Sequence, residues 1–392
     1  MKLAHRTQKI KPSVTLAITT KANALKAAGE NVITLSAGEP DFDTPQLAKQ
    51  AAIDAINAGM TKYTAVAGTV ELRQAICDKF KRDNKLDYQL DQVLVSVGAK
   101  HSIYNLCQAL LDVGDEVIIP APYWVSYPDM VKLAEGTPVI IHTEIEQQFK
   151  ITPNELKGAL TDKTRLLILN SPSNPTGSVY SATELRALAD VLLDYPKVVI
   201  LSDDIYEHIF WANDSFCNIV NVCPELLNRT VVINGVSKAY AMTGWRIGYA
   251  AGPIELISAM KTIQSQSTSN PTSIAQAAAT AALNSPADDL NNMVKAFKQR
   301  HDYVIAMLNS IKGVHCIKST GAFYAFPQVQ DLIDAVDGVN DDIELAEYLI
   351  SELGVALVPG SAFGAPGYMR LSFATDLATL KDALTRIAKR FN

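Results

Sequence analysis

Seven short runs rich in Val, Ile and Leu punctuate the chain between residues 93 and 252. They are VLVSVG (93–98), EVIIP (116–120), PVIIH (138–142), RLLILNSP (165–172), KVVILSDD (197–204), RTVVINGV (229–236) and WRIGYAAG (245–252). A strand that is apolar on both faces leaves no side for water, so it must lie between two layers of other structure. Most of these runs are separated by stretches of helical character, such as 101–111. Strands alternating with helices, joined by right-handed crossovers, predict a three-layer α/β domain around a mostly parallel sheet.

A chain of 392 residues is too long for one ordinary core. After about residue 285 the rhythm changes. A long helical pattern (289–312) leads to GAFYAFP, an acidic helix, GVALVP, YMRLSF and a last helix, which together predict a smaller α+β domain. Residues 13–28 read as an amphipathic helix, and residues 1–45 lack the strand–helix alternation. The expected division is therefore 46–285 for the large domain, with 1–45 and 286–392 forming the small one.

Net charge is −6 and the basic groups are short, such as KFKR at 79–82, read here as a solvated helix face. Nucleic acid or an anionic membrane as main partner is disfavoured, since both call for clustered cations. The five cysteines are scattered without a C-x-x-C pair, which reads as reduced buried thiols rather than a disulfide framework or zinc site. The first residues carry charge but no apolar core. No apolar run approaches the roughly 20 residues that span a bilayer. The expectation is a cytoplasmic protein.

In open α/β sheets, ligands bind outside the carboxyl ends of the strands. Four runs end in groups suited to that. Gly98-Ala99-Lys100 follow the first, Asn170-Ser171-Pro172-Ser173-Asn174 the fourth, Asp203, Asp204 and Tyr206 the fifth, and Lys238 the sixth. Singly they read as a tight turn, a proline-rich loop, a helix cap and a surface lysine. Jointly they offer an anion cradle at a helix start, a buried acid and an amine. Burial lowers the pKa of an amine, and the neutral form attacks carbonyl groups. Pyridoxal phosphate needs a lysine for its aldehyde, donors for its phosphate and an acid facing its pyridine nitrogen. Arg246 would then be a second phosphate anchor, its alternative being a structural ion pair.

SKAYAMTGWRIGY (237–249) resembles the lysine signature of the fold-type I pyridoxal-phosphate enzymes, specifically the class I aminotransferases. SAGEPDFDTP (36–45), KYTAVAG (62–68), PYWVSYPDM (122–130), NSPSNPTG (170–177), SDDIYEHI (202–209) and YMRLSFA (368–374) match further family segments in the same order. The subgroup it is most similar to is the short bacterial aspartate aminotransferases. The resemblance implies transfer of the amino group of L-aspartate, with aromatic or related amino acids as further candidates, to 2-oxoglutarate. It implies Lys238, Asp203 and Tyr206 as catalytic residues. Gly98, Ala99, Lys100, Ser237 and Arg246 would bind the cofactor's phosphate end, and Trp124 would stack on its ring. Tyr206 and Asn174 would bond its phenolic oxygen. Gly38, Trp124, Asn174 and Arg370 would meet substrate, Arg370 clamping the α-carboxylate. Tyr63 would reach the phosphate of a neighbouring subunit, implying a homodimer with shared sites.

Gly235 stands where some members carry a serine, and Asp204 where a glutamate is usual. No arginine for a distal carboxylate occurs in IQSQSTSNP (263–271), which leaves Lys100, Ser13 and Thr15 as substitutes. Two rivals use the same lysine differently: a β-lyase or synthase on this fold, and a cofactor-binding regulator, for which the chain has no spare basic segment to bind DNA.

Overall fold

The computed structural model describes residues 1–10, 14–286 and 288–392, with the side chains of all these except 14–16 and 289. Each apolar run yields a strand: β1 (Val93–Ser96), β2 (Glu116–Ala121), β3 (Thr137–His142), β4 (Thr164–Asn170), β5 (Val199–Asp203), β6 (Thr230–Gly235) and β7 (Gly248–Ala251). They form one sheet in the order β1-β7-β6-β5-β4-β2-β3. Only β7 runs against its neighbours, β1 and β6. The parallel pairing expected of doubly buried strands therefore holds for the other contacts.

Alternate residues of the strands feed two cores. Ile118, Leu167, Ile200 and Val232 face Leu72, Ile76, Leu185, Leu188 and Ala278 on one side. Val117, Ile168, Leu201, Val231 and Ile233 face Ile103, Leu106, Val131, Ile257 and Met260 on the other. With period-two side chains, one strand serves both layers, which is why its sequence is apolar throughout.

A third core joins Ile18, Ala22 and Leu35 to Phe297, Phe323, Leu345, Leu349, Leu380 and Leu384. Its strands are short. Met369–Ser372 pairs antiparallel with both Val358–Pro359 and Tyr324–Ala325. Ile33–Thr34 pairs in parallel with Val355–Ala356. Three helices cover it: Asp288–Leu308, Asp342–Glu352 and Leu377–Phe391.

The KFKR segment departs from expectation. Lys81 and Arg82 are exposed, but Lys79 and Phe80 are buried. Lys79 forms an ion pair with buried Glu207, which also accepts from Asn84 at 2.6 Å and Asn234 at 2.9 Å. The partner that makes burial of Lys79 tolerable lies 128 residues away, so no local reading of the segment could supply it.

Candidate active site

The direction of β7 explains the two cations around residues 238 and 246. Lys238 follows the carboxyl end of β6, and Arg246 precedes the amino end of β7, which lies at the same sheet edge. The expected strand start at 245 is instead a 3₁₀ turn, Thr243–Trp245, followed by Arg246 in a left-handed conformation, φ 58°. That turn sends the arginine back toward Gly98. Its guanidinium donates to the Thr243 carbonyl at 2.8 Å and the Val97 carbonyl at 3.4 Å.

Beside it begins the 12-residue helix Ala99–Leu110. Gly98 adopts φ 84°, and a Cβ there would collide with the Arg246 guanidinium. A Cβ on Gly248 would collide with the Ala99 amide. Two missing side chains thus let helix start, strand and arginine converge, leaving backbone N–H groups beside a cation: an anion cradle. Lys100 is on the first turn, its ammonium 4.8 Å from the Trp124 ring centre. Burial, then nearby Arg246, lowers its pKa. Ser237 is buried at the same edge.

Lys238 is partly buried and donates to the Gly38 carbonyl. Its amine lies about equally far from the rings of Phe323 and Tyr206, at 5.9 and 6.0 Å. Burial brings its pKa down to about 8; Glu39 opposes this, while Arg370 and Arg246 add to it. Asp203 ends β5 and is buried, and burial pushes its pKa up to about 6. A 2.5 Å bond from the Tyr127 hydroxyl and a longer one from the Ile205 amide counter that rise.

From Asp203 a hydrogen-bond chain crosses to the C-terminal sheet. Asn170 donates to the Asp203 carbonyl at 2.9 Å and accepts from the Asn174 amide at 2.9 Å. Asn174 accepts from Arg370 at 2.9 Å, and Arg370 also donates to the Ser36 carbonyl at 2.7 Å. Arg370 is 3% exposed, yet among the described residues its Nε has no partner. Its guanidinium lies over the rings of Tyr324, 4.6 Å away, and Phe363, 5.0 Å away. A buried guanidinium with an unused donor, held by neutral carbonyls, lacks its natural anion. The Tyr206 hydroxyl lies 2.8 Å from that of Tyr324.

Tyr63 stands apart, 91% exposed. Ser13 and the side chain of Thr15 lie outside the described residues. Segment 263–271 spends its buried Gln264 internally, on Ser96, Asn105 and the carbonyls of Val66 and Val95. Sequence reasoning missed Tyr127, Tyr324 and the role of Asn170. Tyr127 lies within PYWVSYPDM, but its partner is 76 residues away and nothing local marks it.

A family profile described as "Aminotransferase class I and II" matches residues 30–387. The chain belongs to the class I and II aminotransferases. It is 57% identical to an aspartate/prephenate aminotransferase of Nitrosomonas europaea, over 99% of each chain. It is 53% identical to an aspartate aminotransferase of Geobacillus stearothermophilus, over 99% of this chain and 98% of the relative. The crystal structure of the aspartate aminotransferase from Rhizobium meliloti superposes with a TM-score of 0.96 at 49% identity, covering 99% and 98% of the two chains. The fold is thus that of fold-type I, and the aminotransferase is a pyridoxal-phosphate enzyme. The donor set fits that group: an open helix start beside Arg246, an amine of lowered pKa and a buried carboxylate held by a phenol.

The lowered pKa of Lys238 has a direct consequence. Only the neutral amine attacks an aldehyde, so with Lys238 as the expected aldehyde-bonding residue, uptake of pyridoxal phosphate by the cofactor-free aminotransferase should climb with pH and level off above about 8. An ordinary lysine would keep gaining to above roughly 10. Stopped-flow absorbance across this range checks it; a midpoint near the ordinary value contradicts the burial argument.

Proposed function

We propose that this aminotransferase moves the amino group of L-aspartate to 2-oxoglutarate. Full-length similarity to aspartate aminotransferases, 57% in one case, carries the substrate assignment. The name of the Nitrosomonas relative favours a second acceptor, prephenate. Both acceptors and aspartate itself carry two carboxylates, which suits a site with cations at two places. Arg370 takes the α-carboxylate, with Asn174 and the Gly38 backbone beside it. Lys100, next to Trp124, is the group we assign to the distal carboxylate.

Bound pyridoxal phosphate supplies an electron sink for the pair left at Cα when the donor loses its α-proton. The helix start at Gly98-Ala99, with Ser237 and Arg246, would hold its phosphate. Asp203 would face its ring nitrogen, Trp124 would stack on the ring, and Asn174 and Tyr206 would bond its phenolic oxygen. Lys238 Nζ takes the α-proton from the donor and returns one to Cα of the incoming 2-oxo acid. A pKa of about 8 suits both directions near neutrality, since a base works best when its pKa lies near the working pH. Arg370 and Asn174 fix the donor so that its Cα–H bond faces that amine, which is a positioning effect. With its carboxylate bonded by the Tyr127 hydroxyl, Asp203 would supply the negative charge that a pyridine nitrogen needs.

We also infer a homodimer. The helix Gln46–Asn57 buries Ala48, Ala52 and Ala55 but exposes Leu47, Ile53 and Ile56, and Met60 and Tyr63 beyond it are exposed too. An apolar row ending in a tyrosine suits a face covered by a second copy, with Tyr63 reaching its phosphate site. We take the chain to divide at 46–285 and 1–45 with 286–392, and to work in the cytoplasm, where five unpaired cysteines are at home. Among the described residues no helix is long and apolar enough to cross a membrane.

The test is a panel of amino donors against 2-oxoglutarate, oxaloacetate and prephenate. Aspartate with 2-oxoglutarate should give the highest kcat/KM, and prephenate should be aminated. Pyruvate and ammonia released from one amino acid without any acceptor would instead indicate elimination chemistry.

A further inference from the structure

Tyr324 is fully buried on the short strand that pairs with the one carrying Arg370, in register with Ser372. It touches three parts of the site. Its hydroxyl lies 2.8 Å from the Tyr206 hydroxyl. Its ring is the platform under the Arg370 guanidinium, 4.6 Å away. Its hydroxyl also crowds Gly38, where a Cβ would lie 3.2 Å from it. Gly38 in turn receives the Lys238 ammonium. Among the described residues, the hydroxyls of Tyr206 and Tyr324 have no other hydrogen-bond partner.

We infer that Tyr324 is a positioning residue: its hydroxyl donates to Tyr206 and so aims the Tyr206 proton into the cofactor site, while its ring holds Arg370. A phenol carries one proton and accepts through its oxygen. If Tyr206 donates toward the cofactor's phenolic oxygen, it has no proton left for Tyr324, so in this pair Tyr324 must be the donor. Donation into the Tyr206 oxygen polarises its O–H bond and strengthens what it gives onward. The inference rests on the reading of Tyr206 given above. It joins the carboxylate-binding end of the site to the cofactor end through one side chain.

The two halves of the role separate by variant. Tyr324→Phe keeps the platform and loses the donor. The visible absorbance of the lysine-bound cofactor, titrated against pH, should then shift its midpoint up by about half a unit, the size of one ordinary hydrogen bond. KM for aspartate should stay within about twofold, because Arg370 keeps its ring. Tyr324→Leu removes the platform as well, and should raise KM for every carboxylate substrate.

Tyr206→Phe is the control, and should shift the same titration further in the same direction. In that background, adding Tyr324→Phe should change the midpoint no more, because the acceptor it acts through is gone. If Tyr206→Phe shifts the titration and Tyr324→Phe does not, the inference about Tyr324 fails while the reading of Tyr206 stands. If Tyr206→Phe itself leaves the midpoint in place, the reading of Tyr206 fails first. A Tyr324→Phe protein that folds but melts early, with its titration midpoint unmoved, would also overturn the inference, by showing a hydroxyl that serves the fold alone.

Discussion

Lys238→Ala should abolish transamination between aspartate and 2-oxoglutarate, with the fold intact. The side chain sits at the carboxyl end of β6 among groups that strip it of water, which is why its pKa falls to about 8. Among the described residues no second amine is placed to replace it. Lys100, the other cation of lowered pKa at this edge, is turned onto Trp124. General-base catalysis of this kind is worth about 10²–10⁴-fold, and losing the covalent hold on the aldehyde comes on top of that. Steady-state rates and the visible spectrum of the loaded variant check this. Residual activity within tenfold of the parent, or an unchanged spectrum, would remove Lys238 from the centre of the account.

Asp203→Asn should keep the cofactor but lose rate by roughly 10²–10³-fold, the usual cost of removing one preorganised electrostatic partner from a dry site. The amide has nearly the same shape and still accepts from the Tyr127 hydroxyl, so loading should survive. The stability of the cofactor-free protein should move the other way. The folded-state pKa of Asp203 lies about two units above its ordinary value, so the native state binds an extra proton between about pH 4 and 6. Stability from this group is then full below pH 4, falls as pH rises through 6, and is lower by about 3 kcal/mol beyond it. An amide carries no charge to bury and escapes that loss. At pH 8 the variant lacking cofactor should melt no lower than the parent. A full-rate variant would contradict the electron-sink role, and a much less stable one would mark Asp203 as structural.

The large sheet was legible because its strands are buried on both faces and so are written in unbroken Val, Ile and Leu. Lys238, Asp203, Asn174 and the Gly98 turn were legible because each closes such a run, where an α/β sheet exposes its ligand edge. Arg246 was harder. It precedes a strand, and only the reversed direction of β7 brings it to the same edge. Arg370 lies in a four-residue strand of the C-terminal region, and by pattern alone would read as an exposed charge; the family resemblance supplied it. Lys79, Tyr127 and Tyr324 were out of reach, because what gives each its meaning is a partner 76 or more residues away. Periodicity reports which face of an element is apolar. It does not report which polar group from elsewhere will be pressed against it.

One amine, on Lys238, is expected to bond the aldehyde of the cofactor. Borohydride reduction of the loaded enzyme makes that bond permanent, and peptide mapping locates it. One pyridoxyl label per chain is expected, on Lys238 within the peptide spanning 230–246. A label on Lys100 or any other lysine, or no label at all, would contradict it.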